Sequence, residues 1–216
     1  MKTNSQYLRS FNDAMARSQG NNWPELNAQL NVDPAQALDL QAIRKAVADH
    51  FSVDYVSDTW ELAGRCFLVA REMSYVLFGL RIPHAVTIGN VQLDGQPYFT
   101  TTLESLAKEF SDGYVGNTPA NAHCWLTLAD GSILDGSLLP SISHREGASE
   151  SLSFHDAIFI KRHDFVDRLE YLPYLTGLHY HFEVVTHEFL DRYFETYAQW
   201  VDDYCACARA PWWRNR

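Results

Sequence analysis

Apolar residues recur at helical spacing in two stretches of the first part of the chain, residues 7–17 and 34–51. Asp33 followed by Pro34 is typical of a helix start, with the carboxylate at the N-cap and proline at the first helical position. We therefore expect the second helix to begin there. The intervening residues 20–24, rich in Gly, Asn and Pro, are predicted to form a loop.

A third helix is predicted over residues 64–78, and apolar side chains cover most of its surface. A helix that is apolar almost all round is typically buried, so we expect it to lie at the centre of the fold. Gly79 suits the C′ position just beyond its end. Cys66 falls in the first turn, next to Gly64. The narrow polar stripe consists of Arg65, Arg71, Glu72 and Ser74.

The rest of the chain mixes alternating and helical patterns. Residues 100–121 have a short helical pattern followed by a loop, and residues 136–153 are predicted to be a loop. A last helix is expected over residues 186–206. Turn residues at positions 94–95 and 129–131 predict hairpins. Strands are predicted over residues 82–93, 122–128, 132–135, 157–161 and 179–185.

These elements predict an α+β fold in which a central helix packs on an antiparallel sheet, with further helices at both ends of the chain. Residues 1–55 are expected to form a helical extension packed on the core, and residues 56–216 the core itself with its C-terminal helix. A chain of 216 residues fits one compact domain.

Charge and apolar content narrow the classes of partner. The formal net charge of −10 and the absence of a basic run argue against a nucleic-acid partner. The N-terminal residues contain no uninterrupted apolar segment, and no run of about 18 apolar residues occurs, so we expect no membrane association and a cytoplasmic location. A secreted effector exported without a leader would have the same composition. No P-loop or G-x-S-x-G motif occurs, and no cofactor is expected.

Four cysteines in a chain of this length are expected to be reduced thiols rather than a disulfide framework. Cys205 and Cys207 have no second pair at zinc-finger spacing. His179 and His181 would share one face of a predicted strand, yet strand histidines more often bond to neighbours than to metal. We therefore predict no metal site.

Cys66 has the setting that favours a nucleophilic thiolate, because unpaired N–H groups at a helix start stabilise negative charge. Such a thiol also needs a histidine base and a third group that fixes the histidine tautomer. His123 opens the first strand of the predicted hairpin and Asp135 ends the second. The hairpin itself would therefore bring imidazole and carboxylate together. Cys124 would point to the opposite face of the strand.

The length of the hairpin loop decides whether the side chains of His123 and Asp135 can lie on the same face of the sheet. A three-residue loop, Ala129 to Gly131 with Gly131 in the left-handed region, would place Trp125 opposite Asp135. His123 and Asp135 would then lie on one face as diagonal neighbours. A two-residue loop would turn the carboxylate away.

Two segments resemble the transglutaminase-like, papain-related superfamily of cysteine enzymes. The first is G-R-C-F-L-V-A-R-E-M-S-Y-V-L-F-G-L-R-I-P-H-A-V, and the second is N-A-H-C-W-L-T-L-A-D-G-S-I-L-D. Together they span residues 64–136, about a third of the chain. Arylamine N-acetyltransferases share the same Cys, His, Asp order and are a more distant resemblance.

The resemblance implies a Cys66 nucleophile, His123 as base and acid, Asp135 as the orienting group, and a thioester acyl-enzyme formed from an amide or peptide. The activity would be that of a peptidase, an amidase or deamidase, or a transglutaminase. Alternatives are a small-molecule N-acyltransferase and a catalytically silent binding or regulatory protein. Trp60 is expected to donate a second hydrogen bond to the oxyanion. Trp125, Tyr98 and Tyr114 are predicted to contact the substrate, the two tyrosines from a segment bordering the site.

Overall fold

A computed structural model describes residues 5–20, 26, 30–112, 121–185 and 194–214. It has a mixed α/β architecture built on an antiparallel sheet, as the hydrophobic pattern predicts at this level. The predicted loop at 20–24, the site residue Tyr114 and the start of the last predicted helix fall wholly or largely outside the described residues. The helices are α1 (Gln6–Gln19), α2 (Leu40–His50), α3 (Cys66–Gly79), α4 (Leu103–Asp112), α5 (Leu138–Arg145), α6 (Phe154–Ala157), α7 (Phe194–Arg209) and α8 (Pro211–Arg214).

The sheet is organised around its longest strand. The first strand pairs with the sixth along one edge and with the third along the other, and every pairing in the described sheet is antiparallel. The third, fourth and fifth strands then follow in order. The strands are β1 (His84–Leu93), β2 (Gln96–Pro97), β3 (His123–Leu128), β4 (Ile133–Asp135), β5 (Phe159–Lys161) and β6 (Leu169–Thr176).

The molecule has two apolar cores. One contains the buried face of α3 together with side chains of α2 and α7, and Cys66 packs at its margin. The other lies under α1 and includes Phe11, Trp125 and Tyr171. Residues before position 56 contribute fully buried side chains to both cores, Phe11 to one and Phe51 to the other. The N-terminal helices are therefore part of the packed interior.

The start of the second helix differs from its prediction. Asp33 and Pro34 form a turn instead, in which the Asp33 carboxylate accepts from the Ala35 amide at 2.9 Å. The N-cap is Asp39, whose carboxylate accepts from the Ala42 amide at 3.0 Å. Both aspartates can cap a helix, and the helix that begins after Asp39 buries Ile43 and Val47 in the core.

The end of α3 also differs. Gly79 lies inside the helix, and the left-handed residue is Arg81, with φ of 55°. The Arg81 amide donates to Phe78 O at 3.0 Å and the Ile82 amide donates to Leu77 O at 2.9 Å, the bonding pattern of a Schellman motif. This extension lets Leu77 and Ile82 both reach the core.

Three predictions in the second half of the chain were wrong. Residues 179–185 are helical, including a π-helical turn over His181–Val185, where a strand was expected. The strand that was missed is Leu169–Thr176, which also pairs with β1, and Pro173 within it obscured the signal. Pro173 is tolerated because it sits at the irregularity in the ladder opposite Gly89. The expected loop over residues 136–153 contains helix Leu138–Arg145.

Within the described residues, no helix has the length and apolar character needed to cross a membrane.

Candidate active site

The predicted three-residue loop joins β3 to β4. Gly131 has φ of 83°, its amide donates to Leu128 O at 2.8 Å, and the Leu128 amide donates to Ser132 O at the same distance. Leu126 pairs with Leu134 in the ladder, so Trp125 stands opposite Asp135. This is the register that places His123 and Asp135 on one face of the sheet.

His123 and Asp135 form a buried pair. Nε2 of His123 lies 2.5 Å from Oδ2 of Asp135, and the two residues are 1% and 0% exposed. Burial disfavours charge on the imidazole, but the Asp135 carboxylate and hydrogen bonds to Asp135 and Cys66 outweigh it and raise the pKa of His123 to about 10. The ring is therefore charged at neutral pH.

Every acceptor position of the Asp135 carboxylate is used. Oδ1 accepts from the amides of Ser137 and Leu138, at 2.9 and 3.1 Å, where α5 begins. Oδ2 accepts from His123 and from the hydroxyl of Tyr171, the latter at 2.9 Å. Burial favours the protonated acid, but the His123 charge and these hydrogen bonds prevail and lower the pKa of Asp135. The carboxylate is thus ionised and fixed in orientation.

Cys66 is the first residue of α3 and is partly buried. Its Sγ lies 3.6 Å from the carbonyl oxygen of Ala122 and hydrogen-bonds to the side chain of His123. Nε2 of His123 bonds to Asp135, so Nδ1 is the ring nitrogen that is not used by the carboxylate. Amides in the first turn of a helix have no intrahelical acceptor, so those of Cys66 and Phe67 are suited to stabilise an anion.

A turn just before α3 directs the thiol toward His123. Gly64 has φ of 72°, a value that glycine adopts without strain, and its amide donates to Oγ of Ser141 at 3.0 Å. Ser141 belongs to α5, whose start is held by Asp135. The segments that carry the thiol and the carboxylate are therefore connected by hydrogen bonds.

The imidazole is held between aromatic rings. Phe99 stacks on one side at 5.0 Å between centroids and 11° between planes, and Trp125 lies at 5.8 Å and 28°. Asn90 holds Phe99 in place, donating to Phe99 O at 2.9 Å and accepting from the Phe99 amide at 3.2 Å. The ring of His123 therefore has little freedom to rotate.

Trp60 and Tyr98, two further predicted site residues, lie in different surroundings. Trp60 lies on a short 3-10 helix, Thr59–Leu62, with its ring edge-on to His144. Its Nε1 is buried and has no hydrogen-bond partner among the described residues. Tyr98 is partly exposed next to Phe99, and the guanidinium of Arg145 lies over its ring at 5.2 Å.

Trp125 was predicted to contact substrate, but the structure places it behind the imidazole. It is fully buried, and its Nε1 donates to the hydroxyl of Tyr7 at 3.0 Å. That hydroxyl also hydrogen-bonds to Thr127, 2.6 Å away. Trp125 therefore has no surface to offer a ligand, and it connects His123 to helix α1.

Sequence reasoning missed Phe99, Asn90 and Tyr171 as parts of the site. Asn90 could have been noticed as an amide side chain between the apolar residues Ile88 and Val91 of a predicted strand. Phe99 and Tyr171 carry no local signal that distinguishes them from core aromatics.

The described part of the chain holds no group of three or more His, Cys, Asp and Glu side chains that could bind a metal ion. All four cysteines are free. His181 is packed among Phe67, Tyr197 and Trp200, and burial lowers its pKa to about 3. It behaves as a neutral core histidine.

No family model, curated protein or solved structure matches the chain when it is compared with them. The chemistry of the site therefore rests on its own geometry.

Proposed function

We propose that this protein is a cysteine-nucleophile acyl-transfer enzyme with a transglutaminase-like, papain-related core. Cys66, His123 and Asp135 would be its catalytic triad and an amide or peptide its substrate. One observation carries the proposal. A buried imidazole is hydrogen-bonded through Nε2 to an ionised carboxylate and also to the partly exposed thiol of Cys66, at a helix N-terminus.

In the first half of the reaction, the Cys66 thiolate attacks the carbonyl carbon of the substrate and the carbonyl oxygen becomes an oxyanion. The amide of Cys66 and the indole N–H of Trp60 are the proposed donors to that oxygen. The His123 imidazolium then gives its proton to the leaving amine, and a thioester remains on Cys66. Asp135 keeps the imidazolium in its tautomer and orientation throughout.

In the second half, His123 takes a proton from an incoming water or amine, which attacks the thioester and releases Cys66. Water gives hydrolysis and an amine gives transfer.

Alkylation of the cysteines by iodoacetamide at pH 6 tests the first step. Cys207 is the matched control, because it is partly buried like Cys66 while burial and Asp203 raise its pKa. We expect Cys66 to react at least about tenfold faster than Cys207, as measured by peptide mass spectrometry, because only a thiolate attacks efficiently. His123→Ala should abolish this advantage without changing the rate at Cys207.

An activated acetyl ester tests acyl transfer itself. We expect one acetyl group per protein, on the peptide that contains Cys66, followed by turnover. A reactive Cys66 that accepts no acyl group would instead favour a binding protein on the same fold. Equal alkylation of Cys66 and Cys207 would contradict the triad.

A further inference from the structure

A second thiol, that of Cys124, lies beneath the proposed nucleophile. Cys124 follows His123 on β3, so its side chain points to the opposite face of the strand. That face is part of the apolar core at whose margin Cys66 packs. Cys124 is 1% exposed and pairs with Ile88 of β1. No step of the proposed acyl transfer uses this thiol.

The sulfur of Cys66 lies against the same end of β3. Its Sγ is 3.6 Å from the carbonyl oxygen of Ala122. The side chains of Ala122 and Cys124 share one face of the strand, because alternate residues point the same way. Both belong to the core cluster that Cys66 borders. Cys66 therefore meets β3 between His123, to which it hydrogen-bonds, and the face that carries Cys124.

Electrostatic effects also place the two sulfurs next to each other. Burial, the charge of the Cys66 sulfur and Asp135 raise the pKa of Cys124 well above its usual value. The hydroxyl of Tyr180, whose ring stacks on Phe67, has a pKa raised by burial and Glu109, with smaller contributions from both sulfurs. Because such interactions weaken with distance, the two cysteines are neighbours in the core.

The two thiols differ in what they can react with. Cys66 is partly exposed and is paired with a charged imidazole, which favours the thiolate, the form that attacks peroxides. Cys124 is buried and protonated, so peroxide in solution oxidises it poorly. Oxidation should therefore begin at Cys66.

We infer that Cys66 and Cys124 form a reversible oxidative modification site, in which a hydroperoxide oxidises Cys66 and Cys124 then closes a disulfide with it. The inference rests on the proposed function, since it needs the Cys66 thiolate. The disulfide occupies the nucleophile and stops acyl transfer until a thiol reductant restores it.

In the first step, the Cys66 thiolate attacks one oxygen of hydrogen peroxide and the O–O bond breaks. A sulfenic acid forms on Cys66, and the leaving hydroxide takes the proton of the His123 imidazolium to give water. In the second step, the Cys124 sulfur attacks the sulfenic sulfur, and the S–O bond breaks as the Cys124 proton leaves with the hydroxide as water. The two thiols lose two electrons and two protons in total, and the peroxide becomes two molecules of water.

The first step also prepares the second. The charge of Cys66 is one of the causes that raise the pKa of Cys124. A sulfenic acid is neutral, so that cause disappears once Cys66 is oxidised. Cys124 then ionises more readily than in the reduced protein, and it does so next to the sulfur that it attacks.

One equivalent of hydrogen peroxide, added to the reduced full-length protein at pH 7, tests the inference. We expect peptide mass spectrometry without reduction to find the Cys66 and Cys124 peptides joined and two hydrogen atoms lighter. Dithiothreitol should restore the fast alkylation of Cys66 by iodoacetamide. Cys207 is the internal standard, and Cys66 should be oxidised at least about tenfold faster.

Cys124→Ala should leave the sulfenic acid on Cys66, where dimedone traps it. Further peroxide should then give a sulfinic acid that dithiothreitol does not reduce. Cys124→Ser is a second variant should alanine perturb folding. Cys205→Ala is the matched control, because Cys205 is also buried in this core but lies on α7, and it should keep the disulfide.

Two outcomes would overturn the role of Cys124 and leave the triad in place. One is equal dimedone labelling of Cys66 with and without Cys124 and no joined peptide, and the other is a disulfide from Cys66 to a different cysteine. If peroxide oxidises Cys66 no faster than Cys207, the thiolate itself is contradicted, and the proposed function is overturned together with this inference.

Discussion

Tyr171 donates its hydroxyl hydrogen to Oδ2 of Asp135 across 2.9 Å, and that same oxygen accepts from Nε2 of His123. The phenol belongs to β6, a strand on the other edge of β1 from the His123 strand. Burial and the carboxylate raise the pKa of Tyr171 well above its usual value, so it remains a donor at every working pH. The carboxylate is therefore held by side chains from the two strands that flank β1.

Tyr171→Phe should test this hydrogen bond by itself, because the ring keeps its edge contact with Trp125 at 5.0 Å. We expect a loss of about 2 kcal/mol in the free energy of unfolding, as for other hydrogen bonds to charged groups. Cys66 alkylation at pH 6 should slow, though less than in Asp135→Asn. Tyr174→Phe on the same strand is the control. It should change neither the free energy of unfolding, measured by urea titration, nor the rate of Cys66 alkylation.

Asp135→Asn should remove the main cause that raises the pKa of His123 and leave burial, which lowers it. The imidazole would then be neutral at pH 7, so Cys66 would lose its charged partner. We expect alkylation of Cys66 at pH 6 to fall by more than about tenfold, because the thiolate would lose the charge that stabilises it. An unchanged rate would show that the carboxylate does not control the imidazole.

Asp135→Asn should also change how the free energy of unfolding depends on pH. The raised pKa of His123 stabilises the fold fully below the unfolded value of 6.5, and this contribution is lost as pH rises toward about 10. The lowered pKa of Asp135 contributes above its unfolded value of 3.8 and is lost on acidification. Destabilisation by Asp135→Asn should therefore be largest between about pH 4 and 6.5 and shrink toward pH 10, as followed by denaturant unfolding.

Trp60→Phe should test the indole N–H as an oxyanion donor. The aromatic ring would remain against His144, and only the N–H would be removed. We expect acylation by an activated ester to slow by about a hundredfold, typical of the loss of one oxyanion donor. Iodoacetamide alkylation forms no oxyanion, so its rate should not change. A parallel fall in both rates would point to a packing role for Trp60 instead.

Gly89→Ala should disrupt the strand on which the site is built. Gly89 pairs with His123, and a Cβ at this position would lie 2.0 Å from Leu172 O, a backbone atom that cannot swing aside. We expect a loss of about 3 kcal/mol or more in the free energy of unfolding. Gly79→Ala is the matched control, since a Cβ there meets nothing within 4 Å and alanine favours a helix by roughly 0.5 to 1 kcal/mol.

Arg81→Gly should stabilise the protein by about 1 kcal/mol, because Arg81 holds a left-handed φ of 55° that glycine adopts without strain. Arg81→Ala removes the same side chain and keeps the strain, so it separates conformation from lost contacts. The free energy of unfolding in urea should increase only for glycine. An equal gain for alanine would assign the effect to the arginine side chain.

Features decided by short-range chemistry could be predicted from the sequence. The loop over residues 129–131 was predicted because Gly131 accepts the left-handed conformation that a three-residue hairpin needs. The register of β3 and β4 follows from that loop, and with it the shared face of His123 and Asp135. The buried helix that carries Cys66 was evident from its apolar surface.

The sequence predictions were wrong where two local signals compete for the same helix start, helix end or element type. Asp33 and Asp39 are both capable caps, and Gly79 is a better candidate than Arg81 for a left-handed residue. Residues 179–185 alternate like a strand, yet His181 packs among aromatic rings as part of a helical turn. In each case the burial of neighbouring side chains outweighs a local preference of about 1 kcal/mol.

Loop length and side-chain alternation are local properties, and they suffice to place a thiol at the start of a buried helix and to turn His123 and Asp135 the same way. The surroundings of these three residues depend instead on long-range packing. Asn90 holds Phe99, which stacks on the imidazole, and Tyr171 reaches the carboxylate from β6. These contacts join residues far apart in the chain, and they depend on how two apolar cores pack on opposite faces of one sheet.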